Sequence, residues 1–166
     1  GKLDFLTDIS AIDLKRLEGR SDLQTFPYLK TGYMGFVLDK YPMSNLRFRR
    51  AIAMAVDTAR IGDFLYGGQK AAHGFIPFGM TGYNGSIGLK YDVAAAKKEL
   101  KLSGIDPSTV KIEIVIPNWE KPVQLAQFIQ AELKKNLGLE ISIQPFDHKT
   151  FRAQLELFNY PLFILS

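Results

Sequence analysis

The side chains that could do chemistry are few and dispersed. Arg47, Arg49 and Arg50 crowd into one short stretch, and an arginine cluster of this kind grips phosphates, carboxylates or carbonyls. His73 and His148 are the only histidines, too far apart in sequence to suggest shared metal ligands, so a solvated or loop-packing role is expected of both. With no cysteine, thiol nucleophiles, zinc–cysteine sites and iron–sulfur clusters are excluded, and no metal or cofactor is expected. The glycine-rich run Gly82-Tyr83-Asn84-Gly85-Ser86-Ile87-Gly88 lacks the dinucleotide spacing, and neither a P-loop nor a G-x-S-x-G elbow occurs. Without a nucleophile–base constellation, catalysis is not expected. Trp119 is the one tryptophan, and Tyr33 stands in an aromatic run where packing in the sheet is the simplest role.

The elements that must position these residues follow from periodicity. Asp4 to Glu18 has apolar positions at loosely helical spacing, with Asp8 or Ser10 as candidate caps and Gly19 as its end. Phe26 to Leu38 reads as extended, with Gly32 and Gly35 marking where another group approaches closely, and Tyr41-Pro42 breaks the run. Ser44 or Asn45 caps a helix whose face carries Phe48, Ile52 and Ala55, and Asp57 caps a shorter one ended by Gly67 and Gly68. From Gly68 to Lys90 the glycines and Pro77 come too densely for a helix. Within that loop, Phe75, Ile76, Pro77 and Phe78 are expected either to wall a cleft or to close the core.

The remainder is regular. Asp92 caps a helix over Val93–Leu102; Val110 to Ile116 alternates as a strand stopped by Pro117; Pro122 opens a helix that Gly138 ends. Leu139, Ile141 and Ile143 mark a second strand. Asp147 then caps a helix with Phe151 and Leu155 four apart, and Leu162 to Leu165 forms a third strand. A βαβαβ order forces parallel pairing, so the fold class expected is α/β, a mixed sheet with a parallel βαβαβ core flanked by helices. In such sheets ligands sit beyond the strands' carboxyl ends, which singles out Asn118 and Trp119.

Composition sets the outer bounds. The chain has 166 residues, 46% hydrophobic and 23% charged, enough for one ordinary domain with its own core. Its net charge of +4 is a mild excess. A nucleic-acid-binding α/β domain, resting on the Arg47–Arg50 cluster, is the alternative class, but acidic residues alternate with the basic ones elsewhere and no nucleic-acid partner is expected. No apolar run approaches a membrane span, and the opening GKLDFLTDIS, with no basic stretch before an apolar run, is not expected to act as a secretory leader.

Several segments carry a family resemblance. Pro42 to Asp57 (PMSNLRFRRAIAMAVD) resembles the pattern P-x-x-[DN]-x-R-[VF]-R-x-A-[IL]-x-x-A-[IVL]-D of the peptide and nickel class of extracytoplasmic solute-binding proteins, the dipeptide/oligopeptide-binding family of ABC importers. Gly1-Lys2-Leu3-Asp4 is similar to that family's G-x-[VIL]-D, Gly74 to Pro77 to its glycine–proline stretch, and Tyr91-Asp92 with Ala96-Lys97-Lys98 and Leu100 to YD-x-x-x-A-K-x-L-L. Leu137-Gly138-Leu139 with Ile141 and Ile143 resembles LG[IV]-x-[VL]-x-[LV]. The sequence departs from the family at Leu100-Lys101-Leu102-Ser103-Gly104, where a second leucine and an alanine–glycine are usual, and at Leu38 or Asp39 in place of an asparagine. It stops where a W-x-x-D-x-x-[DE]-P motif, bearing the aspartate that pairs with a peptide's amine, is expected to begin.

The resemblance implies a class II, two-lobed periplasmic-binding-protein-like receptor. Residues 1–30 would lead from the other lobe and hinge, and 31–166 would form most of the C-terminal lobe. Its partners would be an oligopeptide or dipeptide ligand, the permease subunits of an ABC importer, and the N-terminal lobe of the same protein. A same-family receptor for nickel or another non-peptide solute is the alternative. The localisation implied is extracytoplasmic, periplasmic or as a cell-surface lipoprotein. Tyr33, Asn118 and Trp119 are the candidate ligand-binding residues. Arg49, though it matches the motif arginine, is expected to tie neighbouring loops or carboxylates together, and the cut edge of the piece is expected to favour self-association.

Overall fold

A computed structural model describes residues 4, 6, 9–26, 28–65 and 69–165. The opening Gly1-Lys2-Leu3 of the first motif, Asp8 as a cap, and the terminators Gly67 and Gly68 lie outside the described residues.

The first half is less regular than its composition suggests. Helix α1 spans only Ala11–Leu17, capped by Ser10, whose side chain accepts from the Asp13 N–H, so the helix expected from Asp4 is shorter. The aromatic run from Phe26 yields a strand, β1, only at Tyr33–Phe36. Phe26, Tyr28 and Leu29 are exposed, because residues of high strand propensity without a pairing partner stay outside the sheet. Gly35 does mark a close approach. The ring of Phe163 lies where its side chain would be.

Helix α2 (Leu46–Ala55) is capped by Asn45, whose carbonyl oxygen accepts from the N–H groups of Arg47 and Phe48 while its amide donates to the Ser103 carbonyl at 3.1 Å. One residue thus starts α2 and holds the end of α4 (Val93–Ser103). Asp57 caps a 3-10 turn, Thr58–Arg60, that runs into α3 (Ile61–Leu65). Gly104 ends α4 in the left-handed conformation, which glycine adopts without a Cβ clash.

The second half folds as its periodicity dictates. Strand β2 (Ile112–Pro117), helix α5 (Glu120–Leu137), strand β3 (Ile141–Phe146), helix α6 (His148–Glu156) and strand β4 (Leu162–Leu165) follow one another. The sheet order is β1-β4-β2-β3, with β2 parallel to both β3 and β4 and with β1 antiparallel to β4. β3 runs through Pro145 to Phe146, further than its alternating residues indicate; as an edge strand it tolerates a proline, whose missing N–H costs no ladder bond on the open side.

The order places helices on both faces. The connection through α5 steps from β2 to β3, and that through α6 steps back past β2 to β4, so crossovers of the usual right hand lie on opposite sides of the sheet. On one side Ile112, Ile114 and Ile116 of β2 pack into the main core with Phe128, Ile129 and Leu133 of α5 and with Phe48, Ile52 and Ala96 of α2 and α4. On the other, Val115 is equally buried, at 1% exposure, and Phe151 of α6 is buried outside that cluster. A second covered face explains why Val115, at a position alternation assigns to solvent, is apolar.

Candidate functional site at the carboxyl edge of the sheet

Strands β2, β3 and β4 all point their carboxyl ends the same way, and β1 starts there, since Tyr33 pairs with Leu165. Two loops leave this edge side by side: Asn118-Trp119 after β2, heading to α5, and Asp147 after β3, heading to α6. Adjacent strands whose connections diverge to opposite faces open a crevice between them, the usual ligand position in an open α/β sheet. Here the two loops are stitched together, the Asn118 N–H donating to the Phe146 carbonyl at 2.7 Å.

Trp119 lies flat against His148, rings 5.8 Å apart at 6°, and is 58% exposed. It occupies the cap position of α5 without a side-chain cap bond, so its indole is free to serve as a wall. Beneath this stack a cleft of about 340 Å³ opens between α6 and the sheet edge. Its floor is apolar: Pro117, Pro122, Phe151, Leu155, Ile164 and Leu165. Arg152 and Glu156 complete its lining.

Asp147 fixes the start of α6. Its carboxylate accepts from the N–H groups of Lys149 and Thr150, and hydrogen bonding from Thr150 is the main cause that holds its pKa below the ordinary carboxylate range. With α6 anchored, His148, Phe151, Arg152, Leu155 and Glu156 fall at i, i+3, i+4, i+7 and i+8, one stripe of the helix turned toward the cleft.

Of the residues singled out in the sequence, Trp119 lines the cleft, and Asn118, exposed beside it, braces the loop through its backbone. Tyr33 stands at the same edge but outside the cleft lining, on β1, the strand next to β4, where it pairs with the lining residue Leu165. It is half-buried, edge-on to Phe75 at 5.2 Å and to Phe163 at 6.2 Å. Phe75, Ile76 and Phe78 are exposed and do not close the core. Arg49 donates to the Met43 carbonyl at 2.6 Å, tying its helix to the preceding loop, and Arg47 pairs with Glu99 at 3.2 Å. The sequence motifs do not single out His148, Arg152, Leu155 or Glu156 as site residues. The signal lies in the helical spacing after the Asp147 cap, since positions 148, 152 and 156 are four apart and flank the row of Phe151 and Leu155.

The architecture is that of a lobe of the class II periplasmic binding proteins. OppA of Listeria monocytogenes bound to peptide superposes with a TM-score of 0.80 at 26% identity, over 95% of this chain and 34% of that one. Residues 1–166 match the bacterial extracellular solute-binding proteins, family 5 middle, and the chain belongs to that family. It is 25% identical over 158 residues to the peptide transport periplasmic protein SapA of Salmonella typhimurium, covering 92% of this chain and 29% of the relative. It is 29% identical over 150 residues to the probable deoxycholate-binding periplasmic protein YgiS of Escherichia coli, covering 86% and 28%. The chain thus spans under a third of the length of these curated relatives. Family members of this kind are solute-binding proteins rather than enzymes.

Proposed function

We propose that this chain supplies one wall of the interlobe cleft of an extracytoplasmic receptor that captures peptides and delivers them to an ABC importer. Residues 31–166 would form most of the C-terminal lobe and residues 1–30 the approach from the hinge. The observation that carries this reading is the exposed Trp119–His148 stack over an apolar cleft at the point where the parallel strands' connections diverge. Peptide-named relatives support the ligand class, and the periplasmic descriptions of SapA and YgiS support an extracytoplasmic site of action. The permease subunits and the second lobe would be its partners, and closure of the lobes would bury the ligand between them. The peptide-named relatives favour a peptide over the nickel alternative.

One observation favours a second reading. An apolar floor beside Arg152 would also suit an amphipathic carboxylate, and YgiS is described as a probable deoxycholate-binding protein. Glu156 on the same wall opposes a purely anionic ligand, which favours peptides. Calorimetry on the full polypeptide that the gene encodes, titrated with a mixed tripeptide library and separately with deoxycholate, tests the choice. Peptide affinity that falls with Trp119→Ala, by about 1 to 3 kcal/mol in binding free energy, is expected of an aromatic anchor that lobe closure buries against the ligand. Binding of deoxycholate alone would replace the peptide reading with the second.

A further inference from the structure

Resting on the two-lobed reading, we propose that the loop 69–91, with Phe26, Tyr28 and Leu29, is an apolar seat on which the N-terminal lobe of the same polypeptide rests, whether or not ligand is bound. Of the twenty large apolar side chains that the described residues expose, eleven fall within residues 26–29 and 75–91. Single exposed leucines are ordinary on a protein surface, whereas a contiguous apolar patch marks a face that something covers. The two segments touch. Leu29 lies against Gly79, and Phe75 joins the loop to Tyr33 at the sheet edge.

The loop has a defined shape. Ile87 covers Gly74 and Gly88 abuts the His73 carbonyl, which draws the two ends together. Between them the Met80 N–H donates to the Pro77 carbonyl at 3.2 Å and the Tyr83 N–H to the Met80 carbonyl at 3.1 Å. A loop closed in this way carries its side chains as a compact surface.

Chemistry and position together name the occupant. Residues 71–89 contain no Asp, Glu, Lys or Arg, so the face offers carbon rather than charge, as the core of a lasting contact does. Tyr33 at the start of β1 pairs with Leu165 at the end of β4, so the segments before and after this sheet leave it at one edge, beside Phe75. The curated relatives hold more than two-thirds of their length outside the region matched. A lobe tethered at that edge is held next to the patch at high effective concentration, an advantage that a second copy or a separate protein lacks. Opening the contact in every binding cycle would return its carbon to water, so the seat stays covered while the Trp119 cleft opens and closes.

Hydroxyl-radical labelling of the full polypeptide that the gene encodes, read residue by residue and scaled to each free amino acid, tests the seat. Phe75, Phe78 and Met80 are expected to label roughly fivefold more slowly than Leu102, an exposed residue of α4, with and without the mixed tripeptide library, as side chains removed from water do. Trp119 is expected to gain protection only with the peptides. Phe78→Asp, which sets a charge in the seat, should return Met80 to the rate of Leu102, with circular dichroism to verify folding. Labelling of all three residues at the rate of Leu102 in the parent polypeptide overturns the seat, whatever Trp119 does. Protection that needs the peptides would assign the loop to the closing cleft, protection lost on dilution would assign it to a second copy, and protection that needs added anionic vesicles to a membrane; each overturns the seat. Protection of the loop with no response at Trp119 upholds the seat and counts against the peptide reading alone.

Discussion

Residues 110–165 and residues 69–91 are comparably rich in large apolar side chains, yet they occupy the molecule in opposite ways. The first segment alternates with a period of two in its strands and places apolar stripes on its helices, and it supplies both faces of the sheet with buried residues from Ile112 to Ile164. The second holds Phe75, Ile76, Phe78, Met80, Tyr83, Ile87 and Leu89 with no such period, and none of its residues is buried. Instead the loop leans on itself. Phe78 meets Tyr83 edge-on at 5.5 Å, Ile87 covers Gly74, and Phe75 reaches the sheet edge at Tyr33. Apolar content supplies the free energy of burial, but only periodic placement lets a segment collect it against a partner surface.

The sharpest break of this comparison is a pair of truncations. Leu133→Ala, at a fully buried position of α5, is expected to cost about 2 to 5 kcal/mol in urea unfolding, because a cavity remains in a core that cannot collapse around it. Phe75→Ala removes a larger side chain but from a ring 76% exposed, and should stay within about 0.5 kcal/mol. Equal losses at the two sites would mean that the loop is part of the core after all.

Gly35→Val tests the join between β1 and the parallel strands. A side chain there would collide with the Phe163 ring, which must swing away from Tyr33, at a cost of about 1 to 3 kcal/mol by the same unfolding assay. Asn136 tests a buried polar joint instead. Its amide donates to the Ala55 carbonyl at 2.8 Å, closing the last turn of α2 against α5, and Asn136→Ala should cost about 1 to 3 kcal/mol by leaving that carbonyl unpaired.

The smallest expected effect concerns acid. Because the folded state lowers the Asp147 pKa from its ordinary value of 3.8, the carboxylate's contribution to stability is present above that value and lost as pH falls through the folded one. Asp147→Asn keeps a capping oxygen and removes the titration, so its stability should decline less between pH 5 and about pH 2 than that of the parent chain. A parallel decline in both would assign the acid limb to other carboxylates.

Much of the site's frame was legible before any coordinates. Capping residues Asn45, Asp92 and Asp147, the terminating glycines Gly104 and Gly138, and the alternation of Ile112, Ile114 and Ile116 are local signals, and each names its element within a few residues. The limits of β1 were not legible, because a four-residue strand in a long aromatic run is chosen by its partner β4 and by nothing local. Likewise nothing local marks Arg152 and Glu156, whose i, i+4 spacing is that of any solvated pair on a helix surface.

The sequence by itself determined the order of elements and the parallel pairing of β2 with β3 and β4, since caps and periods act over a few residues and a βαβ chain has one economical way to close. Tertiary structure alone decided that β2 lies between β3 and β4, and with it that α5 and α6 cover opposite faces. That choice brings the ring of Trp119 onto His148 and turns one stripe of α6 into the wall of a cleft. It depends on which surfaces can be buried together across long stretches of chain, a balance of packing and loop closure that no single window of residues records.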